Sequence, residues 1–384
     1  MTTAVIVDAI RTPSGRGKPG GALAGHHPVD LLAATLSALV GRSGLDPALV
    51  DDVIGGCVSQ VGAQSFNVTR NAVLAAGFPE SVPGTTIDRQ CGSSQQAAAF
   101  AAQGVIAGAY DVVIACGVEL MSQNPIGSST VGAEPYGERI GARYPGGLIG
   151  QGVSAELIAA RFGLTRQSLD AFAARSHALA AAADFSSEVL PIDGRTTDET
   201  VRPATTAEGL AGLPPAFRNE AMAQRFPEID WRITAGNSSP LTDGASAVLI
   251  MSEEKAAQLG LTPRARFRSF AVVGSDPIEM LTGIIPATKR ILARSGLGID
   301  DIDLFEVNEA FASVPLAWQQ ELHADPARVN PRGGAIALGH PLGSSGTRLL
   351  TTLLNGLEHS GGRFGLQTMC EGGGMANATI IERI

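Results

Sequence analysis

A cysteine at residue 91 stands between a short strand and an Ala-rich helix. In IDRQCGSSQQAAAF a strand ends near Ile87, a Gly/Ser turn follows, and the helix begins. The positive end of a helix dipole and its free N–H groups favour a thiolate, and such N–H groups also bind an oxyanion. The context predicts Cys91 as a nucleophile, with a small buried apolar residue as the alternative.

A histidine at residue 340 has a similar setting. The run GGAIALGHPLGSSGTRLL places His340 in a Gly-rich turn that leads into a helix. Histidine is a common base for a nucleophilic thiol. If the two segments are related by a pseudo-twofold axis, Cys91 and His340 face each other at matching helix N-termini.

Two further residues extend this set. Cys370 in LQTMCEGGGMA precedes three glycines, which allow close approach of a ligand and expose N–H groups. Asn308 in VNEAFAS supplies a side-chain amide just after an apolar strand. Cys116, in VVIACGVEL, is the predicted counterpart of Cys370, and we interpret both Cys116 and Cys57 as structural.

The elements that carry these residues occur in two copies. RSGL occurs at 42–45 and again at 294–297, each time at the end of a helical stretch and before an acidic turn and an apolar strand. Cys91 and His340 then follow their copies of RSGL at similar distances. A repeated order of elements indicates a duplicated domain.

The predicted fold class is α/β, because Ala-rich helical segments alternate with β-branched runs that are typical of buried strands. The first half spans residues 1–119 and the second spans 251–384. Residues 120–250 form an insert that differs from both halves in composition and in its predicted elements. It opens with an extended loop rich in Gly, Pro and Ser at 122–147 and continues with two helices.

Composition excludes several classes of protein. The chain has 384 residues, 44% hydrophobic and 17% charged, which is typical of a globular chain with two or three domains. A net charge of -9 argues against nucleic acid or an anionic membrane as the main partner. No secretory signal or membrane-length apolar run is evident. The four cysteines lack the spacing of a disulfide framework or a zinc site, so we expect reduced thiols, no metal and a cytoplasmic protein.

Taken together, these motifs resemble those of the thiolase family. DRQCGSSQQA, NEAFA and GGAIALGHPLGSSG carry the resemblance, and CEGGGMA is a fourth, altered motif. They are specific in this order and cover essentially the whole chain. The resemblance implies the thiolase fold, a duplicated five-layer α-β-α-β-α core with an inserted loop domain. It also implies a homodimer or homotetramer, in which 122–147 serves as an oligomer contact or a lid.

The resemblance implies a role for each reactive residue. Cys91 takes the acyl group as a thioester, and His340 activates Cys91 and helps to hold the thioester oxygen. Asn308 positions a water in the same oxyanion hole. Cys370 is a second thiol that moves a proton between the enzyme and coenzyme A or the acetyl carbon. The backbone N–H groups of Cys91 and Gly372 match the second oxyanion hole.

Coenzyme A is the substrate that the family binds across the inserted domain, and the chemistry requires no metal or redox cofactor. Ser239 in TAGNSS matches a serine near the pantetheine, and Ala235 lies beside it. Ala310 and Phe311 of NEAFA match residues that line the pocket. Arg202 matches an arginine near the adenine end, with an ordinary surface arginine as the alternative.

Three departures from the family pattern bear on the substrate. Glu371 stands where a small or apolar residue is usual, Arg332 replaces an Asn before GGA, and Gln151 replaces a Met that borders the acyl pocket. An inward carboxylate would disfavour a neighbouring thiolate, whereas neighbours on a strand face opposite sides. QCGSSQQA resembles branches that include thiolases acting on bulky or steroid-derived acyl chains. Acetoacetyl-CoA is therefore not assumed as the substrate.

The implied activity is that of an acetyl-CoA C-acyltransferase. It cleaves 3-ketoacyl-CoA with coenzyme A, as in fatty acid β-oxidation, or runs the reverse Claisen condensation of acetyl-CoA. One alternative is a biosynthetic thiolase specific for acetoacetyl-CoA. Decarboxylating ketoacyl synthases share the fold but carry Cys-His-His or Cys-His-Asn sets. A non-catalytic acyl-CoA- or lipid-binding relative would lack one or more of the four reactive residues, all of which this chain keeps.

Overall fold

The computed structural model describes residues 2–384. The strands are β1 (Ala4–Arg11), β2 (Gly15–Arg16), β3 (Asp52–Gly56), β4 (Thr85–Ile87), β5 (Val112–Leu120), β6 (Thr242–Ser252), β7 (Ala265–Gly274), β8 (Leu304–Val307), β9 (Phe364–Glu371) and β10 (Met375–Arg383). The helices are α1 (Pro28–Ser43), α2 (Val68–Ala75), α3 (Ser93–Ala107), α4 (Gly137–Arg143), α5 (Gln151–Arg161), α6 (Arg166–Ala182), α7 (Ala207–Ala211), α8 (Glu220–Arg225), α9 (Glu253–Gln258), α10 (Ile284–Ser295), α11 (Ser313–Leu322), α12 (Ala335–Leu338) and α13 (Ser345–Ser360).

The strands form one continuous sheet that contains the predicted duplication. Its order is β4-β3-β5-β6-β1-β7-β10-β9-β8, with β2 paired to β6. On one side of the central β1–β7 pair, β6 and β5 are antiparallel neighbours and β3 is parallel to β5. On the other side β10, β9 and β8 repeat the same pattern. Two equivalent halves therefore meet at β1 and β7.

The helices complete a layered arrangement of helix, sheet, helix, sheet and helix. α1 and α2 cover the outer face of the first half, and α10 and α11 cover that of the second. α3 and α13 pack against each other and against strands of both halves. Their backbones approach so closely that a Cβ at Gly346 would lie 2.0 Å from the backbone nitrogen of Gln95. This arrangement confirms the predicted fold class.

The strand β6 corrects the predicted boundary at residue 250. It is hydrogen-bonded between β1 and β5, with Asp243 opposite Leu120 and Met251 opposite Val112. The first half therefore takes strands from both sides of the insert, which lies between β5 and β6. Apolar periodicity predicts a strand but not which distant strand it pairs with. The predicted boundary therefore assigned most of β6 to the insert.

The insert contains the two predicted helices, α5 and α6, and the shorter α4, α7 and α8. The segment 122–147, predicted as an extended loop, is largely exposed but contains the short helix α4. The carboxylate of Glu156 on α5 accepts hydrogen bonds from the backbone N–H groups of Arg232 and Ile233, both at 2.7 Å, which fixes α5 to the chain leading into β6. Within residues 2–384, every helix is too short or too polar to cross a membrane.

Candidate active site

Cys91 lies directly before Gly92, the N-cap residue of α3. Gln90 has a φ of 50°, in the left-handed region, which turns the chain sharply out of the preceding segment. The hydroxyl of Ser93 closes this turn, because it accepts from the N–H of Arg89 at 2.9 Å and donates to the carbonyl of Gln90 at 2.6 Å. The predicted strand–turn–helix setting is therefore present.

The surroundings of Cys91 are mainly apolar. Its side chain belongs to a buried cluster with Met121, Leu342, Leu349 and Met369. Burial is the main cause that raises the pKa of the Cys91 thiol to about 12. The helix N-terminus therefore does not by itself supply the expected thiolate, and the thiol must give its proton to a base when it reacts.

His340 is the residue predicted to be that base. Its ring Nδ1 lies 2.6 Å from the hydroxyl of Ser345, and that hydroxyl donates to the carbonyl of Pro341 at 2.9 Å. A hydroxyl has one proton, so Nδ1 carries the ring proton and Nε2 keeps its lone pair. Burial, with the charge of Arg348 as a second cause, lowers the pKa of His340 to about 3. The imidazole is therefore neutral and able to accept a proton.

Gly333 and Gly334, which begin the loop that leads to His340, are required by close packing, in the case of Gly334 against a buried glutamate. Glu309 accepts hydrogen bonds from the hydroxyl of Ser176 at 2.7 Å and from the N–H of Ile336 at 3.1 Å. A Cβ at Gly334 would lie 2.2 Å from the Glu309 carboxyl carbon, and Gly333 has a φ of 78°. Any larger residue at these positions would displace the loop that carries the histidine.

Arg332 packs at the base of the same loop. Its guanidinium lies over the ring of Phe185, 4.7 Å from the centroid, and Nη1 is 3.6 Å from the carboxylate of Glu188. The replacement of the usual Asn by Arg332 is thus accommodated by stacking and charge.

Asn308 follows the end of β8 and reaches the histidine. Its Nδ2 lies 3.5 Å from Nε2 of His340. Its Oδ1 is buried and has no hydrogen-bond partner within residues 2–384. A buried amide oxygen without a partner is costly, so this group is suited to bind a water or a substrate atom beside the imidazole.

Cys370 and Gly372 approach Cys91 from the second half. Burial is the first cause that raises the pKa of the Cys370 thiol, and the nearby Cys91 is the second, so the two sulfur atoms interact. Gly372 begins the turn between β9 and β10, where a Cβ would lie 3.1 Å from Oε1 of Gln90. The structure therefore relates Cys370 to Cys91 and Gly372 to the residue before Cys91, and it places Asn308 beside His340.

Glu371 faces the side of β9 opposite to Cys370, as strand alternation predicts, but this side is the interior next to Gly92. It is fully buried, and a Cβ at Gly92 would lie 2.0 Å from its Oε1. Both carboxyl oxygens lack a hydrogen-bond partner within the described chain. Burial raises the pKa of Glu371 to about 8, against the opposing charge of Arg89. The side chain therefore keeps its proton at neutral pH beside the first turn of α3.

The residues predicted to hold coenzyme A form a second cluster. The N–H and hydroxyl groups of Ser239 donate to the carbonyl of Ala310 at 3.0 and 3.1 Å. Phe311 packs edge-on against Phe217 of the insert, with ring centroids 5.6 Å apart. Ala235 is exposed on the same TAGNSS loop. The wall between the insert and the segment after β8 is thus built from the predicted residues.

Arg202 lies against the insert helix α6. It is exposed, its backbone N–H donates to Nδ1 of His177 at 3.2 Å, and its Nη2 lies 3.1 Å from Nε2 of the same ring. These contacts fix its position on the insert. Within residues 2–384, no group of three His, Cys, Asp or Glu side chains is placed to hold a metal ion.

Glu119 is a site residue that the sequence did not indicate. Its carboxylate accepts from the backbone N–H groups of Val58, Ser59 and Gly343 at 2.8 to 3.0 Å. It thereby ties the first half to the loop of His340. The contact with Gly343 joins residues more than two hundred positions apart, so no local pattern in the sequence indicated it.

The register of the sheet also corrects one predicted equivalence. Gly117 pairs with the last residue of β3, and Thr368 pairs with the last residue of β8. The counterpart of Cys370 is therefore Glu119, two residues further along, and not Cys116. Likewise the residue that matches Cys91 before its helix cap is Gly343, so His340 sits one short turn earlier than predicted.

Sequence profiles, related proteins and a solved structure match this chain over nearly its whole length. Residues 4–254 match the sequence profile described as "Thiolase, N-terminal domain", and residues 261–383 match "Thiolase, C-terminal domain". A steroid 3-ketoacyl-CoA thiolase from Mycobacterium tuberculosis is 48% identical, over 100% of this chain and 95% of that protein. A 3-ketoacyl-CoA thiolase from Photobacterium profundum is 45% identical over the full length of both. The crystal structure of the Bacillus anthracis acetyl-CoA acetyltransferase has a TM-score of 0.87 at 38% identity, over 100% of this chain and 99% of that one.

Proposed function

The chain belongs to the thiolase family, and we propose that it transfers acyl groups to coenzyme A by thiolytic cleavage of 3-ketoacyl-CoA, or in reverse by Claisen condensation. The observation that carries the proposal is a pair of neighbouring buried thiols together with a neutral imidazole that lies beside an unpaired amide oxygen. This set fits a reaction that needs a covalent acyl carrier, a base and stabilisation of two separate oxyanions.

In the first half-reaction, Cys91 gives its proton to Nε2 of His340 and its sulfur attacks the 3-keto carbon. The backbone N–H groups of Cys91 and Gly372 hold the oxygen that becomes negative. The bond between C2 and C3 then breaks, and its electron pair passes to the enolate of acetyl-CoA. The protonated His340 and a water on Asn308 hold the enolate oxygen, and Cys370 donates its proton to the carbon.

In the second half-reaction, the Cys370 thiolate takes the proton of the coenzyme A thiol. The coenzyme A sulfur attacks the acyl carbon on Cys91 and forms the shortened acyl-CoA. Cys91 leaves as a thiolate and recovers its proton from His340. The cycle returns every proton to its starting group, and no redox partner or metal takes part.

The preferred substrate is a 3-ketoacyl-CoA with a long or bulky acyl chain. The identity with the mycobacterial steroid 3-ketoacyl-CoA thiolase supports this choice. A biosynthetic enzyme specific for acetoacetyl-CoA is the second candidate, and the similarity to the Bacillus anthracis acetyl-CoA acetyltransferase favours it. Thiolysis rates across 3-ketoacyl-CoA substrates, from four carbons to long and ring-bearing chains, decide between them. A highest kcat/KM on acetoacetyl-CoA would reject the first choice.

Coenzyme A lies along the wall formed by Ser239, Ala235, Ala310 and Phe311, with its adenine end toward Arg202. Backbone carbonyls and small side chains suit a pantetheine arm, and an arginine suits a nucleotide phosphate. Isothermal titration of coenzyme A into the Arg202→Ala variant tests the outer contact. Unchanged affinity would leave Arg202 as an ordinary surface residue.

The protein works as a homodimer or homotetramer in the cytoplasm. Exposed apolar side chains on the loop at 122–147, Ile126, Val131 and Tyr136, support an intersubunit role for that loop. The four cysteines are free and buried, in keeping with a reducing compartment. Light scattering after size exclusion measures the assembly, and deletion of the loop distinguishes an oligomer contact from a lid. Cell fractionation tests the compartment.

The decisive experiment follows the acyl-enzyme. Incubation with a 3-ketoacyl-CoA and no free coenzyme A should add one acyl mass, located on the Cys91 peptide, and release acetyl-CoA. Addition of coenzyme A should then remove the mass as the shortened acyl-CoA. Release of acetyl-CoA with no acylated peptide would exclude a Cys91 acyl-enzyme.

A further inference from the structure

Gln151 occupies the one position of the insert from which a polar side chain reaches the Cys91 sulfur within the described residues. It is the first residue of α5, and its Nε2 lies 4.0 Å from Cys91 Sγ. That distance is at the outer reach of a hydrogen bond to sulfur, and a thiolate attracts a donor more strongly than a thiol does.

The helix α5 is held firmly in this position. Glu156 fixes one side of it to the chain before β6, and the hydroxyl of Ser154 donates to the carbonyl of Glu279 at 2.7 Å. Gly152 packs so tightly that a Cβ there would lie 2.2 Å from the ring of Phe217. A rigid helix start therefore presents the Gln151 amide to the sulfur.

No other side-chain donor contacts Sγ within the described chain. The remaining neighbours in its cluster are apolar, and Glu371 brings a carboxyl group to the other side of the first turn of α3. The Gln151 amide lowers the Cys91 pKa, whereas burial and Glu371 raise it. Apart from the imidazolium that forms at His340 in the proposed reaction, stabilisation of negative charge on the sulfur thus falls to the helix N-terminus and to this amide.

We infer that Gln151 is a further catalytic residue, whose side-chain amide donates a hydrogen bond to the Cys91 sulfur whenever that sulfur is negative. The inference rests on the proposed function, because it assigns a group to the Cys91 thiolate of that reaction. Negative charge arises after proton transfer to His340 and again when Cys91 leaves the acyl group. A Met at this position, as the family pattern has it, lacks a donor.

The test is alkylation of Cys91 by iodoacetamide, measured in the full-length protein without substrate as a function of pH. Gln151→Met keeps the side-chain length and removes the donor. We expect a rate roughly tenfold lower at neutral pH and an apparent Cys91 pKa about one unit higher, because a hydrogen bond to a charged group contributes this much. Peptide mapping assigns the alkylation to Cys91.

Two further variants keep the test decisive. Gln151→Glu places a carboxylate at the sulfur and should slow alkylation more than Met does. Gln167→Met is the matched control, because Gln167 is exposed in the first turn of the neighbouring helix α6, and it should alkylate at the wild-type rate. Wild-type alkylation in both Gln151 variants, with or without a change in KM, would overturn the inference.

Failure of the inference and failure of the proposed function give different results. Alkylation needs no acyl-CoA, so it reports on Gln151 even if the protein cleaves no 3-ketoacyl-CoA. Normal turnover of the wild type with unaltered alkylation of the Gln151 variants would reject Gln151 alone. Absence of coenzyme A-dependent cleavage by the wild type would reject the proposed function alone.

Discussion

The two halves of the molecule place equivalent elements at the same site, but the residues at the ends of these elements have different functions. The residue after β3 is Cys57, and the residue after the equivalent β8 is Asn308. Cys57 is buried, with its sulfur 4.0 Å from Glu119, whereas Asn308 lies beside the imidazole of His340. The same strand end therefore supports packing in one half and a reactive group in the other.

The next pair of strands repeats the contrast. The penultimate residue of β5 is Glu119, which accepts backbone hydrogen bonds, and that of β9 is the thiol Cys370. Before the two central helices the order is reversed, since the first half supplies Cys91 and the second supplies Gly343. A duplicated scaffold fixes where side chains project, and divergence of single residues then gives each half a separate part of the reaction.

The largest expected effect tests the first half. Cys91→Ala should lower thiolysis roughly 10⁴-fold or more, because it removes the covalent acyl carrier, while coenzyme A binding by calorimetry persists. Cys116→Ala is the matched control, a buried cysteine of the same half that should keep wild-type turnover. Residual turnover in the Cys91 variant near the wild-type rate would show that the chemistry belongs elsewhere.

The next effect tests the second half. Cys370→Ala should lower kcat about 10²- to 10⁴-fold, because the enolate carbon and the coenzyme A thiol lose their proton donor and acceptor. Steady-state thiolysis measures it, with KM expected to change little. A variant that keeps more than a tenth of the wild-type kcat would remove Cys370 from the mechanism.

The counterpart of Cys370 should respond through stability. Glu119→Gln turns an NH₂ group toward backbone donors and leaves buried N–H groups unpaired, at a cost of about 2–4 kcal/mol. Chemical denaturation measures this loss. Exchange of the exposed Glu254 for Gln is the control. If Glu119→Gln unfolds like the wild type, the contrast between the two strand ends has no energetic basis.

The smallest effect concerns Glu371 and depends on pH. Its pKa in the folded protein, about 8, is above the ordinary value of about 4.3, so the folded state binds the extra proton between these values and stability falls as pH rises through them. Glu371→Gln keeps the shape without the charge. At pH 8.5 it should increase the free energy of unfolding by about 1–2 kcal/mol, measured as a higher Tm. At pH 5 it should make little difference.

The same substitution should also affect the nucleophile. Asp88 and Arg89 before α3 and the two thiols, Cys91 and Cys370, are the charged or titratable groups that interact with Glu371. An ionised Glu371 raises the pKa of Cys91, so Glu371→Gln should speed alkylation of Cys91 above pH 8. Equal alkylation rates at every pH would show that the carboxylate does not influence the sulfur.

Much of the fold could be predicted from the sequence. Repeated RSGL segments, each followed by an acidic turn and an apolar strand, indicated the duplication, because local periodicity and turn chemistry repeat wherever a domain does. The Gly-rich turns before α3 and α13 likewise marked Cys91 and His340. The pairing of β6 with strands of the first half could not be predicted, since these partners lie far away along the chain.

Local sequence alone determined which residues carry reactive groups, because a thiol or an imidazole has its chemistry wherever it stands. Only the tertiary structure decided their state. Burial makes Cys91 a weak acid and His340 a neutral base, and the close approach of Gly92 buries the Glu371 carboxyl group at the first turn of α3. The approach of the Gln151 amide to Cys91 Sγ likewise depends on the tertiary structure. The physical reason is that pKa values and contacts depend on the dielectric and the neighbours that folding brings together, which no local spacing encodes.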